Sequence, residues 1–231
     1  VKTYVLHKNV SLDLFNSCDL FCHGVLSPQI WNEYINYLEK KYNESLRYVS
    51  FRDKSKGWRN KYLKIITETQ DISNYCNNNA SILRLYEQNI ALRESCYQCK
   101  YMNLERCGDI SIGDFWGIER IKPKLDKNTG VSAVIVNSEK GKNLFEVIKC
   151  EMKIIEFQKD EILQQVLKEP TKKNPNRKQF VEDYNRNGIE YVLLKYGQVK
   201  GKLYLKRNFI IPALYKMHIA GIASKILHYH K

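Results

Sequence analysis

Two cysteines two residues apart are the first feature of this sequence that could carry chemistry. Cys96 and Cys99 lie in the run Arg93-Glu-Ser-Cys-Tyr-Gln-Cys-Lys-Tyr101, and Cys107 follows later. Two thiolates at this spacing can bind one metal ion, or part of an iron-sulfur cluster, without straining the backbone. Dithiol redox pairs use the same spacing, but they usually open a helix after a strand, a context not predicted here. A metal or cluster site is therefore favoured over two packed thiols.

A third thiol, Cys22, is followed by His23 and Gly24. The run from Cys18 to Gly24 predicts a buried strand that ends in a loop, and loops at strand ends often present ligands. His23 could then act as a ligand or as a proton donor. From these residues alone, a core cysteine beside a backbone-bonded histidine is the preferred interpretation. Structural roles are predicted for the remaining cysteines, Cys18, Cys76 and Cys150.

A glycine- and aromatic-rich turn, Gly113-Asp-Phe-Trp-Gly117, follows a predicted strand. Glycines let a backbone approach a ligand closely, Asp114 can accept from a hydroxyl or a ring N–H, and Trp116 can stack on a flat cofactor. A tight turn with a core tryptophan explains the same residues equally well. Four basic residues on a predicted hairpin could neutralise the phosphates of a dinucleotide, although most charge runs are solvated surfaces. They are Arg52, Lys54, Lys56 and Arg59.

The elements that must position these residues are predicted from apolar periodicity and turn residues. Helices are predicted from Ser27 and Pro28 to about residue 42, over about 79–93, from near Ser138, and over 177–187. Strands are predicted as a hairpin at 46–52 and 62–69, then at 109–116, 131–136 and 153–157. Together they predict an α+β fold: a mixed β-sheet with packed helices, followed by a basic helical C-terminal region.

The predicted organisation is one main domain with a tail. Residues 1–168 form the predicted domain, the polar, proline-containing stretch 169–176 is the predicted linker, and 177–231 is the basic tail. The chain begins at Val1 within a short apolar run, which we interpret as a C-terminal fragment of a longer protein. The tail is expected to cover its own domain, to dock a partner or to contact a membrane surface.

Composition limits the class of protein. The chain is 43% hydrophobic, enough for a sizeable core. No apolar run approaches the roughly 18 residues of a membrane span. Seven cysteines without an export signal indicate free thiols in a reducing cytoplasm rather than a disulfide framework. The net charge of +13 permits an acidic partner but does not identify one.

Separated stretches of the sequence resemble, in matching order, the C-terminal part of the coenzyme F420 hydrogenase/dehydrogenase beta subunits. Four of them are Asp19-Leu-Phe-Cys-His-Gly-Val-Leu-Ser-Pro28, Phe51-Arg-Asp-Lys-Ser-Lys-Gly-Trp58, Ser95-Cys-Tyr-Gln-Cys-Lys100 and Gly108-Asp-Ile-Ser-Ile-Gly-Asp-Phe-Trp-Gly117. A fifth, Gly130-Val-Ser-Ala-Val-Ile-Val-Asn-Ser-Glu-Lys-Gly141, agrees as well. The likeness spans about residues 17–150.

The resemblance implies an electron-transfer subunit that carries a 4Fe-4S cluster near FAD and serves a diffusible carrier such as coenzyme F420. It implies cluster ligands at Cys22, Cys96 and Cys99. The family's other ligand is expected in a Thr-Pro-Cys-Gln segment that this sequence lacks, so a missing upstream part, Cys107 or Cys18 would have to supply it. The flavin contacts expected from the resemblance and from residue type are Arg52, Lys54, Asp109, Gly113, Asp114, Trp116 and Ser132. The expected partner is another redox subunit or a ferredoxin-like electron donor.

Two other functions fit parts of the sequence. A zinc-bearing nucleic-acid-binding module would use the CxxC spacing, the positive charge and the 16 tyrosines. It would require a second CxxC or a CxxxH pair, which the sequence lacks, so no specific nucleic acid is expected. The other alternative is a non-catalytic remnant of the same family that keeps the fold and only binds a partner.

Overall fold

The computed structural model describes residues 2–59, 62–73 and 81–198, together with Ile210 and Ala213. The helices are α1 (Lys2–His7), α2 (Pro28–Tyr42), α3 (Ser81–Glu87), α4 (Ile118–Ile121), α5 (Glu139–Ile148), α6 (Lys159–Ile162) and α7 (Arg177–Tyr196). The strands are β1 (Cys18–Leu20), β2 (Leu46–Asp53), β3 (Tyr62–Thr67), β4 (Ile110–Asp114) and β5 (Ser132–Val136). Cys76 and most of the predicted tail beyond residue 198 lie outside the described residues. No helix in the described part is long and apolar enough to cross a membrane.

The strands form two separate sheets. β4 lies in the centre of a three-stranded sheet, parallel to β1 and antiparallel to β5. β2 and β3 form an antiparallel hairpin. The α+β fold with a mixed sheet is therefore confirmed, as are the hairpin and the strands that became β4 and β5.

The main hydrophobic core lies between the hairpin and helices α2, α3 and α7. Leu63 and Ile65 alternate on the inner face of β3, as the period of two in a strand requires. Tyr34 and Leu38 on α2 are fully buried in the same core, four residues apart on one helix face. Phe180 of α7 belongs to the same core. The predicted linker at 169–176 stays a prediction, but the helix that follows it packs on the main domain.

Two expectations about strands are corrected. The predicted strand at 153–157 is wrong, because these residues are irregular and Ile154 and Ile155 remain partly exposed. A run with strand propensity forms a strand only where a neighbouring strand pairs with it. β1 was expected to be buried, yet Leu20 is 64% exposed, and β1 lies at the edge of its sheet.

Two helices also differ from their predicted lengths. α3 ends at Glu87, and the chain continues through a 3-10 turn at Glu94–Gln98 instead of one helix to residue 93. α7 was expected to end at Asn187-Gly188. Gly188 adopts non-helical dihedral angles, φ 77° and ψ −174°, but the helix resumes beyond this kink as far as Tyr196.

Candidate functional site

The predicted site residues are brought together by the parallel pair of strands. The carboxyl ends of parallel neighbours leave a sheet at the same edge, and ligand sites commonly lie there. Cys22 lies two residues beyond the end of β1, and Asp114 is the last residue of β4. The Cys22 loop and the Gly113–Gly117 turn therefore meet at one edge of the mixed sheet.

The loop after Cys22 lies beside the segment that leads into the CxxC turn. The amide of Arg93 donates to the carbonyl of Val25 at 2.9 Å. The amide of Val25 in turn donates to the sulfur of Cys96 at 3.3 Å. Backbone N–H groups aimed at sulfur stabilise thiolates and tune the potential of iron-sulfur centres. Two of the predicted ligand-bearing segments are thus in direct contact.

The three predicted cluster ligands differ in exposure. Cys96 is buried in the 3-10 turn, Cys99 at the end of that turn is half-buried, and Cys22 is exposed. Within the described ranges, no three His, Cys, Asp or Glu side chains are arranged so that they could hold a metal ion. The donor set suits iron, since all three thiols are free and one accepts an N–H hydrogen bond. The assignment of these cysteines as ligands stays a prediction.

The two cysteines considered as substitute ligands lie near the first half of β1. Cys18 opens this strand, and Cys107 precedes Gly108, whose amide donates to the carboxylate of Asp19 at 2.9 Å. Both thiols are exposed. Cys22 instead follows the strand, so the structure does not group them with it.

Tyr86 lies where the thiol segments meet the hairpin. Its ring packs edge-on against His23, with 5.3 Å between ring centres, and against Phe51. Burial raises the pKa of Tyr86 to about 12, and the neighbouring thiol of Cys22 acts in the same direction, while Arg52 opposes them. Tyr86 therefore lies between the loop that carries Cys22 and the strand that carries Arg52. No sequence pattern pointed to this residue, because a tyrosine on an apolar helix is indistinguishable from core.

Arg52, Trp58, Asp114 and Trp116 form a cluster that we call the Arg–Trp platform. Arg52 donates to Asp114 at 3.1 Å, and Trp58 Nε1 donates to the other carboxylate oxygen at 3.2 Å. The two indoles stack with 4.6 Å between ring centres, and the guanidinium lies 5.1 Å from the Trp116 ring centre. Trp58 is buried, but Trp116 is 42% exposed. The platform thus offers an aromatic surface next to a cation.

The turn that carries Asp114 and Trp116 is held from outside by Gln164. The Trp116 amide donates to the Gln164 side-chain oxygen at 3.1 Å, and the Gln164 amide donates to the Asp114 carbonyl at 2.9 Å. Gly113 serves packing here, since a Cβ at this position would lie 2.7 Å from the Cβ of Phe21. Neither Gln164 nor Trp58 was predicted as a site residue. Trp58 was nevertheless visible in the sequence, as an aromatic residue in the hairpin turn.

Asp109, a predicted flavin contact, lies at the other end of β4. Its buried carboxylate accepts from the amide and hydroxyl of Ser17, at 2.8 and 2.7 Å, and from the hydroxyl of Ser138 at 2.7 Å. The Ser17 hydroxyl is the largest contribution that holds the pKa of Asp109 at about 2. These contacts fasten the start of β1 to the start of α5. A flavin contact by Asp109 stays a prediction.

The remaining predicted residues differ in whether a ligand bound at the platform could reach them. Ser132 pairs with Asp114 across β4 and β5 and is exposed at the strand end. Lys54 is exposed in the hairpin turn. Arg59 instead forms an ion pair with the buried carboxylate of Asp126 at 2.5 Å, which ties the hairpin to the loop before β5. Ser132 and Lys54 are placed where an anionic ligand could reach them, whereas Arg59 already has an acidic partner.

Most of the chain matches a known protein family. A family model that describes the C terminus of the coenzyme F420 hydrogenase/dehydrogenase beta subunit matches residues 6–161, which is more than half of the chain. Those residues include the three thiols and the whole Arg–Trp platform. No curated protein and no solved structure gives a significant match.

Proposed function

The chain belongs to the coenzyme F420 hydrogenase/dehydrogenase beta subunit family, and from this premise we propose that it is part of an iron-sulfur flavoprotein subunit that transfers electrons. Membership indicates a redox function of the beta-subunit kind. The proposal adds a 4Fe-4S cluster, FAD, and another redox subunit or a ferredoxin-like protein as the electron donor. Coenzyme F420 or a similar diffusible carrier would then be the acceptor or donor at the flavin. A reducing cytoplasm, where the thiols stay free, is the proposed setting.

One observation carries the proposal: thiols and an aromatic, cationic platform meet around one half-buried tyrosine, Tyr86. The ring of Tyr86 packs against His23, the residue after Cys22, and against Phe51, the residue before Arg52. Arg52 in turn contacts the exposed indole of Trp116. Thiols bind iron, and an indole with an adjacent cation suits a flat, electron-accepting ring. Both kinds of binding surface therefore occur within one small region of the fold.

On this proposal, each residue has a defined task. Cys22, Cys96 and Cys99 would hold the cluster, and the Val25 amide would donate to the Cys96 sulfur and favour its anionic state. When bound, FAD would supply hydride transfer and the cluster single-electron transfer. The exposed face of Trp116 would stack on the flavin ring and exclude water from it.

Arg52 has an electrostatic task on this proposal. The Arg52 guanidinium forms an ion pair with the Asp114 carboxylate at 3.1 Å, and the Arg52 side chain is 34% exposed. A fixed guanidinium next to a flavin stabilises negative charge that develops on the ring during reduction. Asp114 holds the guanidinium in place, and the Trp58 N–H holds Asp114.

Anaerobic purification tests the thiol part of the proposal. We expect a brown protein whose visible absorbance bleaches with dithionite, and we expect Cys96→Ser and Cys99→Ser to lose most of the bound iron. Cys150→Ser is the matched control, because Cys150 is also a free thiol but follows α5, away from the loops that carry the predicted ligands. Colourless protein that contains zinc would contradict the proposal and favour the zinc-module alternative. Colourless protein without metal would favour the partner-binding remnant.

Titration with FAD tests the platform. Replacing Trp116 with alanine should weaken binding roughly 10-fold, since stacking of an aromatic base on an aromatic side chain contributes about 1–3 kcal/mol. Arg52→Gln should also weaken binding. Arg47→Gln should not, because Arg47 lies on the same strand but is exposed and pairs with Glu68. Equal affinities in all four proteins, measured by flavin fluorescence, would exclude the platform as the flavin site.

A further inference from the structure

The chain continues beyond the family-matched residues, and part of that continuation folds back onto the thiol segments. Residues 171–177, which we call the strap, lead into α7. The family match ends at residue 161. The strap holds Thr171, Lys173 and Arg177, and none of them is a metal ligand by type. Each one contacts a segment that carries a predicted cluster cysteine.

Thr171 holds the first of these segments. Its hydroxyl donates to the carbonyl of His23, the residue that follows Cys22. Thr171 is buried, with 7% of its surface exposed. A buried hydrogen bond from a distant part of the chain restricts the backbone next to the Cys22 thiol.

Arg177 holds the second segment. Its guanidinium lies 4.6 Å from the ring centre of Tyr97, which stands between the two cysteines of the CxxC turn. It also donates to the carbonyl of Ile90 at 2.5 Å and pairs with Glu94 at 3.3 Å. A planar guanidinium can stack on a ring and use its N–H groups at the same time. Arg177 therefore contacts the segment that leads into the turn, the first residue of the turn and the tyrosine between its two cysteines.

Lys173 reinforces the same contact. Its ammonium forms an ion pair with Glu94 and lies 5.5 Å from the ring centre of Tyr97. The Tyr97 hydroxyl donates to the carbonyl of Asn89 at 2.7 Å, so the ring is fixed at its far end as well. Tyr97 is thus held between two cations and a backbone acceptor.

We propose that Thr171, Lys173 and Arg177 are positioning residues of the thiol site, and that the strap keeps the Cys22 loop and the CxxC turn aligned. This inference rests on the proposed function, because it assigns a role toward the predicted cluster ligands. The physical reason is that two segments far apart in sequence keep a common geometry only where a third segment restrains both of them. The strap supplies that restraint from outside the region that the family shares.

Thiol reactivity in the metal-free, reduced protein tests the strap without needing a cluster. The rate of alkylation of Cys96 by iodoacetamide is measured by peptide mass spectrometry, relative to Cys150 in the same molecules. Arg177→Gln should raise this ratio roughly 10-fold, because the buried turn opens more often once the stack and hydrogen bonds are lost. Arg177→Lys should fall between, since it keeps the charge but not the planar stack. Lys178→Gln, an equal charge change on the next, exposed residue, should leave the ratio unchanged.

A ratio for Arg177→Gln within about twofold of the original protein, in a variant with native circular dichroism, would overturn the inference. If Arg177→Gln does not fold, Lys173→Gln replaces it, because Lys173 is at the surface and its loss spares the core. It should raise the ratio by about twofold, the scale of one surface ion pair, and no rise would overturn the inference. A protein that never binds iron would end the proposed function but would leave this measurement fully interpretable.

In cluster-loaded protein, the same variants should also shift the midpoint potential measured by dithionite titration. A change in the alignment of the Cys96 sulfur alters its hydrogen bond from Val25, and such hydrogen bonds set the potential. A variant that only lowered overall stability would keep the original potential. An unchanged potential in folded Arg177→Gln would therefore count against a positioning role.

Discussion

Two aspartates at the two ends of β4 illustrate how environment divides roles among residues of one type. Asp109 immediately precedes the strand and is enclosed by hydroxyl and amide donors from Ser17 and Ser138. Asp114 ends the strand and shares its carboxylate between Arg52 and Trp58 at the open edge. The first carboxylate is used to hold the fold together. The second is available to orient a cation beside an exposed ring.

The enclosure of Asp109 predicts a defined dependence of stability on pH. Its pKa is lowered from 3.8 to about 2 in the fold, mainly by the Ser17 hydroxyl. A carboxyl with a lowered pKa stabilises the fold above its unfolded pKa, and this contribution is lost as the pH falls through the folded value. Asp109→Asn should therefore be less stable at pH 7, and its free energy of unfolding should fall less steeply between about pH 4 and 2.

Urea unfolding followed by circular dichroism across this pH range checks the expectation. Glu182→Gln is the control, because Glu182 is an exposed carboxylate on α7 and its loss should leave the acid dependence unaltered. If the asparagine variant lost stability in acid as steeply as the original protein, the contacts of Asp109 would not be its source.

Among the secondary-structure elements, α7 depends on one glycine. Gly188 has φ 77° and ψ −174°, a combination that only glycine adopts readily. The helix resumes beyond it because Val192 and Leu193 are buried in the main core. The kink therefore lets both halves of α7 pack on the same domain.

Gly188→Ala should destabilise the protein by roughly 1–3 kcal/mol, the cost of a side chain in this backbone region. No neighbouring atom lies within 4 Å of the position of an added Cβ, so the cost comes from the backbone and not from a clash. Asn187→Ala, at the adjacent exposed helical position, is the matched comparison. Thermal unfolding that gave the same Tm for both variants would show that the kink is not strained.

Across the whole molecule, α7 and the hairpin share one core. Phe180 is fully buried and belongs to the same core as residues of α2, α3 and β3. Gln164 and the strap add polar contacts from the same part of the chain to the platform and to the thiol segments. The residues that follow the family-matched region are therefore integrated with the candidate site.

This integration predicts a single cooperative unfolding transition that includes α7. Phe180→Ala should cost about 3–5 kcal/mol and shift the whole transition. Val181→Ala, its partly exposed neighbour, should have a small effect. Calorimetry that resolved two transitions, with only one moved by Phe180→Ala, would instead support the predicted boundary at 169–176.

Local elements and ligand types follow from residues that are close together in the chain. Pro28 at the first turn of α2, the apolar alternation in β3 and the Ser138 cap of α5 each depend on residues within a few positions of one another. The Ser138 hydroxyl indeed accepts from the amide of Gly141 at 3.1 Å. The CxxC spacing and the glycine-rich turn are likewise local, which is why the amino-acid order alone is enough to predict the thiols and part of the Arg–Trp platform as candidate site residues.

Which of these residues meet depends on tertiary packing. Trp58 and Trp116 stack across 58 positions of sequence, and Arg177 reaches Tyr97 from α7. Such contacts arise from how whole elements pack, and no periodicity or spacing in the chain records them. The same limit explains the wrong strand at 153–157, because pairing requires a neighbouring strand and not propensity alone. The local sequence determines which side chains are available to the candidate site. Packing between distant segments determines which of those side chains are in contact.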